Sequence, residues 1–283
     1  MKNLPKTFDN FQHKHQWLAF GVAVIKRYSE NQDGRNSALL TYYLFLSLFP
    51  LLFWLSLLAN VLNQYFPGTT TTLIHAATGY FPVLGNQLDK VAHSSSRSSI
   101  GIIVSSLVTL YGARGTAMMF GGIVSKVFAI PKDKLPGFPH NWLRGVLTVL
   151  IGGAGFLLTA IGYSWALSHG HAIWFRGIIA IAGLAVLGLV FMTILKLSLP
   201  KSIKARQLLS VSVIMALTFG ILQFAGGLIV THSLKHYTDT YTALFATTLG
   251  LIAWIYLETQ ALLYSMEIVI VAKHHLWPRR LVS

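Results

Sequence analysis

Two charged side chains, Arg114 and Glu258, interrupt stretches that are otherwise apolar. They are the residues best placed to do chemistry. A guanidinium grips an anion through its planar fork, and a carboxyl can carry a proton or a cation. Arg114 falls about 14 residues into its run, or about 21 Å at 1.5 Å per residue, and Glu258 about 16 residues into its own, or about 24 Å. An ionisable residue near the centre of a bilayer is costly, faces the interior of a helix bundle, and marks a substrate or proton site. Opposite charge at one depth predicts that the two pair, either as a gate or as a structural register lock. Tyr241, with Tyr237 and Asp239, marks an outer entrance or a plain aromatic belt. Pro50 removes a helical donor and kinks its helix, as helices lining transport paths often are. Glu267, nine residues beyond Glu258, points to the opposite helix face, near Lys273, in a structural role.

Other chemistries lack their residues. Cysteine is absent, so disulfides and thiolate metal sites are excluded. Eleven histidines are present. The closest groups, such as His232/His236 with i, i+4 spacing, have no third ligand, so no metal site is expected. No glycine loop runs into Lys-Ser/Thr, so no ATPase and no nucleotide cofactor are expected. No serine nucleophile elbow occurs. The expectation is a protein that is not an enzyme.

The elements that must position these residues follow from composition. Hydrophobic residues make up 54% of the 283 residues and charged ones 11%. A soluble domain carries about 25% charged residues. Residues 36–88, 145–175, 177–195, 207–234 and 240–257 contain no Asp, Glu, Lys or Arg. Roughly 20 helical residues cross the ~30 Å hydrocarbon core. The predicted fold is therefore an all-α polytopic membrane bundle of about six spans, near 36–62, 99–128, 142–167, 172–197, 208–234 and 242–272. Residues 1–35 form a cytoplasmic N-terminal segment and 273–283 a basic cytoplasmic tail. Within 16–31, apolar residues at helical spacing predict an amphipathic helix. It either lies on the inner membrane surface or packs on the end of the bundle. Residues 64–98 form an external cap with one or two short helices. Ala113, Ala117 and Gly121 make a small-residue stripe that permits close helix approach. No cleaved signal peptide is expected.

The net charge of +14 invites a nucleic-acid reading, but topology accounts for it. With both termini inside, only Lys90, Arg97, Arg176 and Lys235 fall outside and Arg114 within a span, while the other 17 of the 22 Lys and Arg are cytoplasmic. That asymmetry is the positive-inside pattern.

Several segments resemble one bacterial family, the YihY/BrkB-type inner-membrane proteins once labelled ribonuclease BN. The likeness begins at Ser37-Ala38-Leu39-Leu40-Thr41-Tyr42-Tyr43 and Leu46-Ser47-Leu48-Phe49-Pro50-Leu51. It continues at Tyr111-Gly112-Ala113-Arg114-Gly115, Leu199-Pro200-Lys201, Tyr237-Thr238-Asp239-Thr240-Tyr241 and Ala253-Trp254-Ile255-Tyr256-Leu257-Glu258. It spans about 36–272. Tyr241-Thr242 stands where the family pattern has Tyr-Gly, and Ser125-Lys126-Val127 where an Asn is expected, which marks a divergent branch. The resemblance implies an integral inner-membrane protein with an envelope function, most naturally transport.

Three functional classes follow. The leading expectation is a transporter or exporter without its own ATPase, for an anionic or amphipathic substrate. The partners would be membrane lipids and a small-molecule or lipid substrate, with no nucleic acid and a homo-oligomer left open. The second class is a non-transporting scaffold for envelope maintenance. The third, a membrane ribonuclease, wants clustered ligands, whereas Asp9, Glu30, Asp33 and Asp133 are scattered. Reporter fusions will place both termini and the loops near Lys132 and Lys201 inside, and the loop near Asn86 outside. An external C-terminus would require an odd number of crossings and overturn the six-span reading.

Overall fold

The computed structural model describes residues 16–48, 99–131, 143–145, 147–148, 150–155, 158–159, 173–200, 203, 205–233 and 240–276. These residues form helices and short connections, with no strand among them. In chain order the helices are α1 (Gln16–Glu30), α2 (33–48), α3 (Ser99–Val127), α4 (Leu143–Gly155), α5 (Ile173–Ser198), α6 (Ala205–Ser233) and α7 (Thr240–His274). The expected helical segments at 99–128, 172–197, 208–234 and 242–272 thus agree with α3, α5, α6 and α7 to within a few residues. Pro50, the cap at 64–98, Asp239 and the tail beyond 276 lie outside the described residues.

Helix ends are set by local chemistry. Ala129, with φ 52°, takes the left-handed position after α3. Its N–H reaches the Lys126 carbonyl at 3.0 Å, and the Ile130 N–H reaches that of Ser125 at 2.8 Å. These are the two bonds of a Schellman stop, formed without glycine. His275, with φ 47°, ends α7 the same way, the Leu276 N–H returning to the Val271 carbonyl at 3.2 Å. Gln32, with φ 57°, closes α1, and its carbonyl then accepts the N–H groups of Arg35 and Asn36. One residue therefore stops α1 and starts α2, which fixes Asp33 at the corner between them.

Among the described residues, three helical segments are long and apolar enough to cross a membrane: Gly177–Ser198, Ala205–Gln223 and Thr248–His274. Their burial runs opposite to their apolarity. The most apolar has 17% of its window buried, the intermediate one 33%, and the least apolar 56%. In water the greasiest helix would be the most hidden; here it is the most exposed, as lipid requires. Leu209, Val213, Leu217 and Ile221 form one exposed i, i+4 stripe along α6. The interior lies between α3, α5, α6 and α7, around Val124, Leu195, Val211, Met215, Leu263 and Met266. There Phe191 and Phe219 meet edge to face at 5.9 Å.

Glycines permit close approach where α2 crosses α3, and again at Gly145 and Gly155 of α4 and Gly220 of α6. A Cβ on Gly112 would come 2.7 Å from the Ser47 Cβ, and one on Gly115 would overlap the Tyr43 ring. The expected stripe of Ala113, Ala117 and Gly121 takes part through one of its members. Ala117 meets Gly145 of α4, but Gly121 faces open space, and the Ala113 side chain lies outside the described ones. Tight contact needs a partner as well as a small residue, and Tyr43 and Ser47 supply it one face over.

Gly115→Ala will therefore lower stability by about 1–3 kcal/mol through overpacking. Tyr43→Ala makes room, so adding Gly115→Ala to it will change little. Thermal unfolding in detergent reads both; additive losses would place the clash elsewhere.

Candidate functional site

The polar side chains of the described residues converge on α7. Four of its groups reach three neighbouring helices. Glu258 faces α6, Thr259 faces α2, Ser265 faces α6 again, and Glu267 faces α1. The nine residues between the two glutamates amount to about half a turn beyond two full ones at roughly 100° per residue, so they occupy opposite faces.

Glu258 is buried. Its Oε1 accepts the indole N–H of Trp254, one turn earlier, at 2.7 Å, and the Gln223 amide of α6 at 2.9 Å. Below it the Thr259 and Thr41 hydroxyls meet at 3.0 Å, and Thr41 also donates to the Ser37 carbonyl at 2.8 Å. Ser265 donates to Thr218 at 3.0 Å or to Ala261's carbonyl at 2.7 Å. A hydroxyl satisfied by its own helix costs little to bury in an apolar bundle, and it can exchange partners without breaking the fold.

Arg114 does not join this group, and its expected pairing with Glu258 is not formed. Its side chain is exposed. Gly112 and Gly115 turn α3 toward α2, and Thr116 and Phe120 continue that buried face. Arg114 stands about 200° from Gly112 at roughly 100° per residue, on the far side of the helix. The expected pairing rested on depth along the chain, and the rotation of α3 turns Arg114 away from the buried face. Tyr241 stands in the first turn of α7 with its side chain outside the described ones, as are all of Asp239 and Pro50.

The second concentration of charge is at the end of the bundle where α1 docks. Of the two arrangements open for the N-terminal helix, packing on the bundle is what its inner face does. Ala19, Ala23 and Val24 are buried, the latter two against Val271, and Tyr28 stacks on Tyr264 with ring centroids 4.0 Å apart and planes 1° from parallel. Trp17 and Ile25 remain exposed on the outer side. Glu267 is fully buried and pairs with Arg27 at 2.5 Å, while Asn31 donates its amide to the other carboxyl oxygen at 2.5 Å. Its partner thus comes from α1 rather than from the expected neighbourhood of Lys273. Arg27 also donates to the Val127 carbonyl at 2.6 Å, and Lys126 to the Asn31 carbonyl at 2.7 Å. Asp33, equally buried, accepts from Asn36 at 3.1 Å. Burial pushes the Asp33 carboxyl above the usual carboxylate range and the Tyr28 hydroxyl above its own.

Sequence reasoning missed this cluster because its members are some 240 positions apart. One signal was available. Ala19, Ala23, Val24 and Arg27 share a single stripe of α1, and a basic residue on a helix's buried stripe calls for a buried anion. Among the described residues, no three His, Cys, Asp or Glu groups gather in a way that could hold a metal ion.

No curated protein and no solved structure matches the chain. A family profile described as "Virulence factor BrkB" matches residues 24–280. The match takes in the second half of α1 and everything through α7, including Arg27, Asp33, Arg114, Glu258 and Glu267. With its apolar helices exposed as lipid demands, the chain is a membrane protein, and it belongs to the BrkB virulence factor family.

Proposed function

We propose that this chain is a transporter or exporter of the bacterial inner membrane, without an ATPase of its own, that moves an anionic or amphipathic envelope-related substrate. It is not an enzyme in this reading. It crosses six times with both ends inside, the orientation that the Lys and Arg distribution favours. The observation that carries the proposal is Glu258. A carboxyl buried within a membrane-length helix, bonded to a glutamine and an indole and lacking a cation among the described residues, is a costly arrangement for a purely structural element. Gln223 and Trp254 donate, so they hold the carboxyl in place while its remaining oxygen stays available to a passing group. Arg114, exposed on α3, supplies the positive surface toward which an anionic headgroup is drawn.

A scaffold that only organises envelope components needs no water inside its bundle; a transporter does. The natural absence of cysteine makes the difference measurable. Ile255→Cys places a thiol one turn from Glu258, and Leu217→Cys places one on the exposed apolar stripe of α6. A charged, water-soluble methanethiosulfonate will label the first roughly tenfold faster than the second in proteoliposomes, because the reactive thiolate forms only where water reaches. Glu258→Gln will slow that labelling if the carboxyl holds the water path open. Equally slow labelling at both positions means a dry core and the scaffold.

A further inference from the structure

Glu267 and Asp33 meet at the corner where α1, α2, α3 and α7 come together, and neither transport nor Glu258 explains them. Both side chains are fully buried. The Asp33 carboxyl lies within hydrogen-bonding reach of the Glu267 carboxyl. Two carboxylates in contact cannot both stay ionised away from water, because the like charges add to the desolvation of each. The oxygens record the same shortage. Asp33 Oδ2 is buried and has no hydrogen-bond partner, while Glu267 Oε2 is held by the Arg27 guanidinium at 2.5 Å. A buried carboxylate oxygen without a donor, on a carboxyl beside a second carboxyl, describes a site that lacks one proton.

We propose that Asp33 and Glu267 form a proton-binding site, in which one proton shared between the two carboxyls neutralises the corner and ties the α1–α2 turn to α7. The charges balance with that single proton. Two carboxyls bring two negative charges, Arg27 cancels one, and the proton cancels the other. Lys126 is exposed and committed to the Asn31 carbonyl, so it screens the site from its rim. The other titratable groups facing the corner are Tyr28 of α1 and Tyr264 of α7, stacked on each other. Asn31 donates to Glu267 Oε1 and Asn36 to Asp33 Oδ1, which leaves Asp33 Oδ2 to carry the shared proton. Losing it leaves two anions against one guanidinium, and α1 is then held less firmly. Water reaches the rim at Lys126, so the proton exchanges on that side. The site stands whether or not the chain transports anything.

Infrared spectroscopy of the full-length protein in lipid tests this directly, because the chain has only eight Asp and Glu. The Glu258→Gln chain is used, to remove the other membrane-buried carboxyl. At neutral pH it will still show the carbonyl stretch of one protonated carboxylic acid, and the band will disappear on raising the pH. Adding either Asp33→Asn or Glu267→Gln will abolish it, since the remaining carboxyl then ionises against Arg27. Absence of the band in the Glu258→Gln chain, or its survival through Asp33→Asn, overturns the proposal. Should the double variants fail to fold, the pH dependence of stability still decides. Asp33 has a folded pKa raised above its unfolded value. Its favourable contribution is complete below the ordinary carboxylate range and is lost as pH rises through the raised value. The thermal midpoint of the Glu258→Gln chain will fall across that interval, and a flat or rising midpoint there overturns the site.

Discussion

Between helices immersed in lipid, burying a leucine gains little, because acyl chains are as apolar as the leucine. Cohesion must then come from close packing and from polar groups that have nowhere else to go. Both appear in this bundle, and in different places. Gly112 and Gly115 let α2 approach α3 within the width of a missing methyl group. Helix α7 instead holds its neighbours by polar side chains: Glu258 to Gln223, Thr259 to Thr41, Ser265 to Thr218 and Glu267 to Arg27. That is why the least apolar of the three membrane-length segments is also the most buried.

The two glutamates of α7 are treated differently by their surroundings. Glu267 has a guanidinium, an amide and a second carboxyl around it. A buried ion pair of this kind adds little net stability, yet removing one partner costs about 3–5 kcal/mol, because the survivor stays buried and uncompensated. It therefore acts as a lock on geometry: α1 can dock only where Arg27 finds Glu267. Glu258 has neutral donors alone, one of them from its own helix. Its position is less constrained from outside α7, where Gln223 alone reaches it among the described residues.

Much of the fold was legible because a single property, absence of charge over about 20 residues, defines a span. The ends of α3, α5, α6 and α7 fall close to where the charges resume. Rotation was not legible. Counting residues sets Arg114 and Glu258 at similar expected depths, but the face Arg114 presents depends on where Gly112 and Gly115 find Tyr43 and Ser47, and that contact joins residues some 70 positions apart. The docking corner was hidden for the same reason. Asp33 looked like one of several scattered carboxylates until the left-handed Gln32 turned the chain and set it against Glu267. Glu258 itself was legible, since nothing but its burial mattered.

The position of Gln32 also links the two polar centres. Its carbonyl starts α2, so Asp33, Ser37 and Thr41 follow on successive turns of one helix face. Asp33 meets Glu267, the Ser37 carbonyl takes Thr41, and Thr41 meets Thr259, which adjoins Glu258 in the chain. The α2–α7 contact thus carries polar pairs at the docking corner and at Thr259, with Leu40 in the apolar core between them. A change of charge at the corner acts on the same pair of helices that carry the Thr41–Thr259 contact. Any shift of α2 along α7 must break that hydroxyl pair before it reaches Glu258. The seam is weak enough to part, since each hydroxyl has a carbonyl of its own to fall back on. The bundle therefore has a charged lock at the corner and exchangeable hydroxyl contacts beside the buried glutamate.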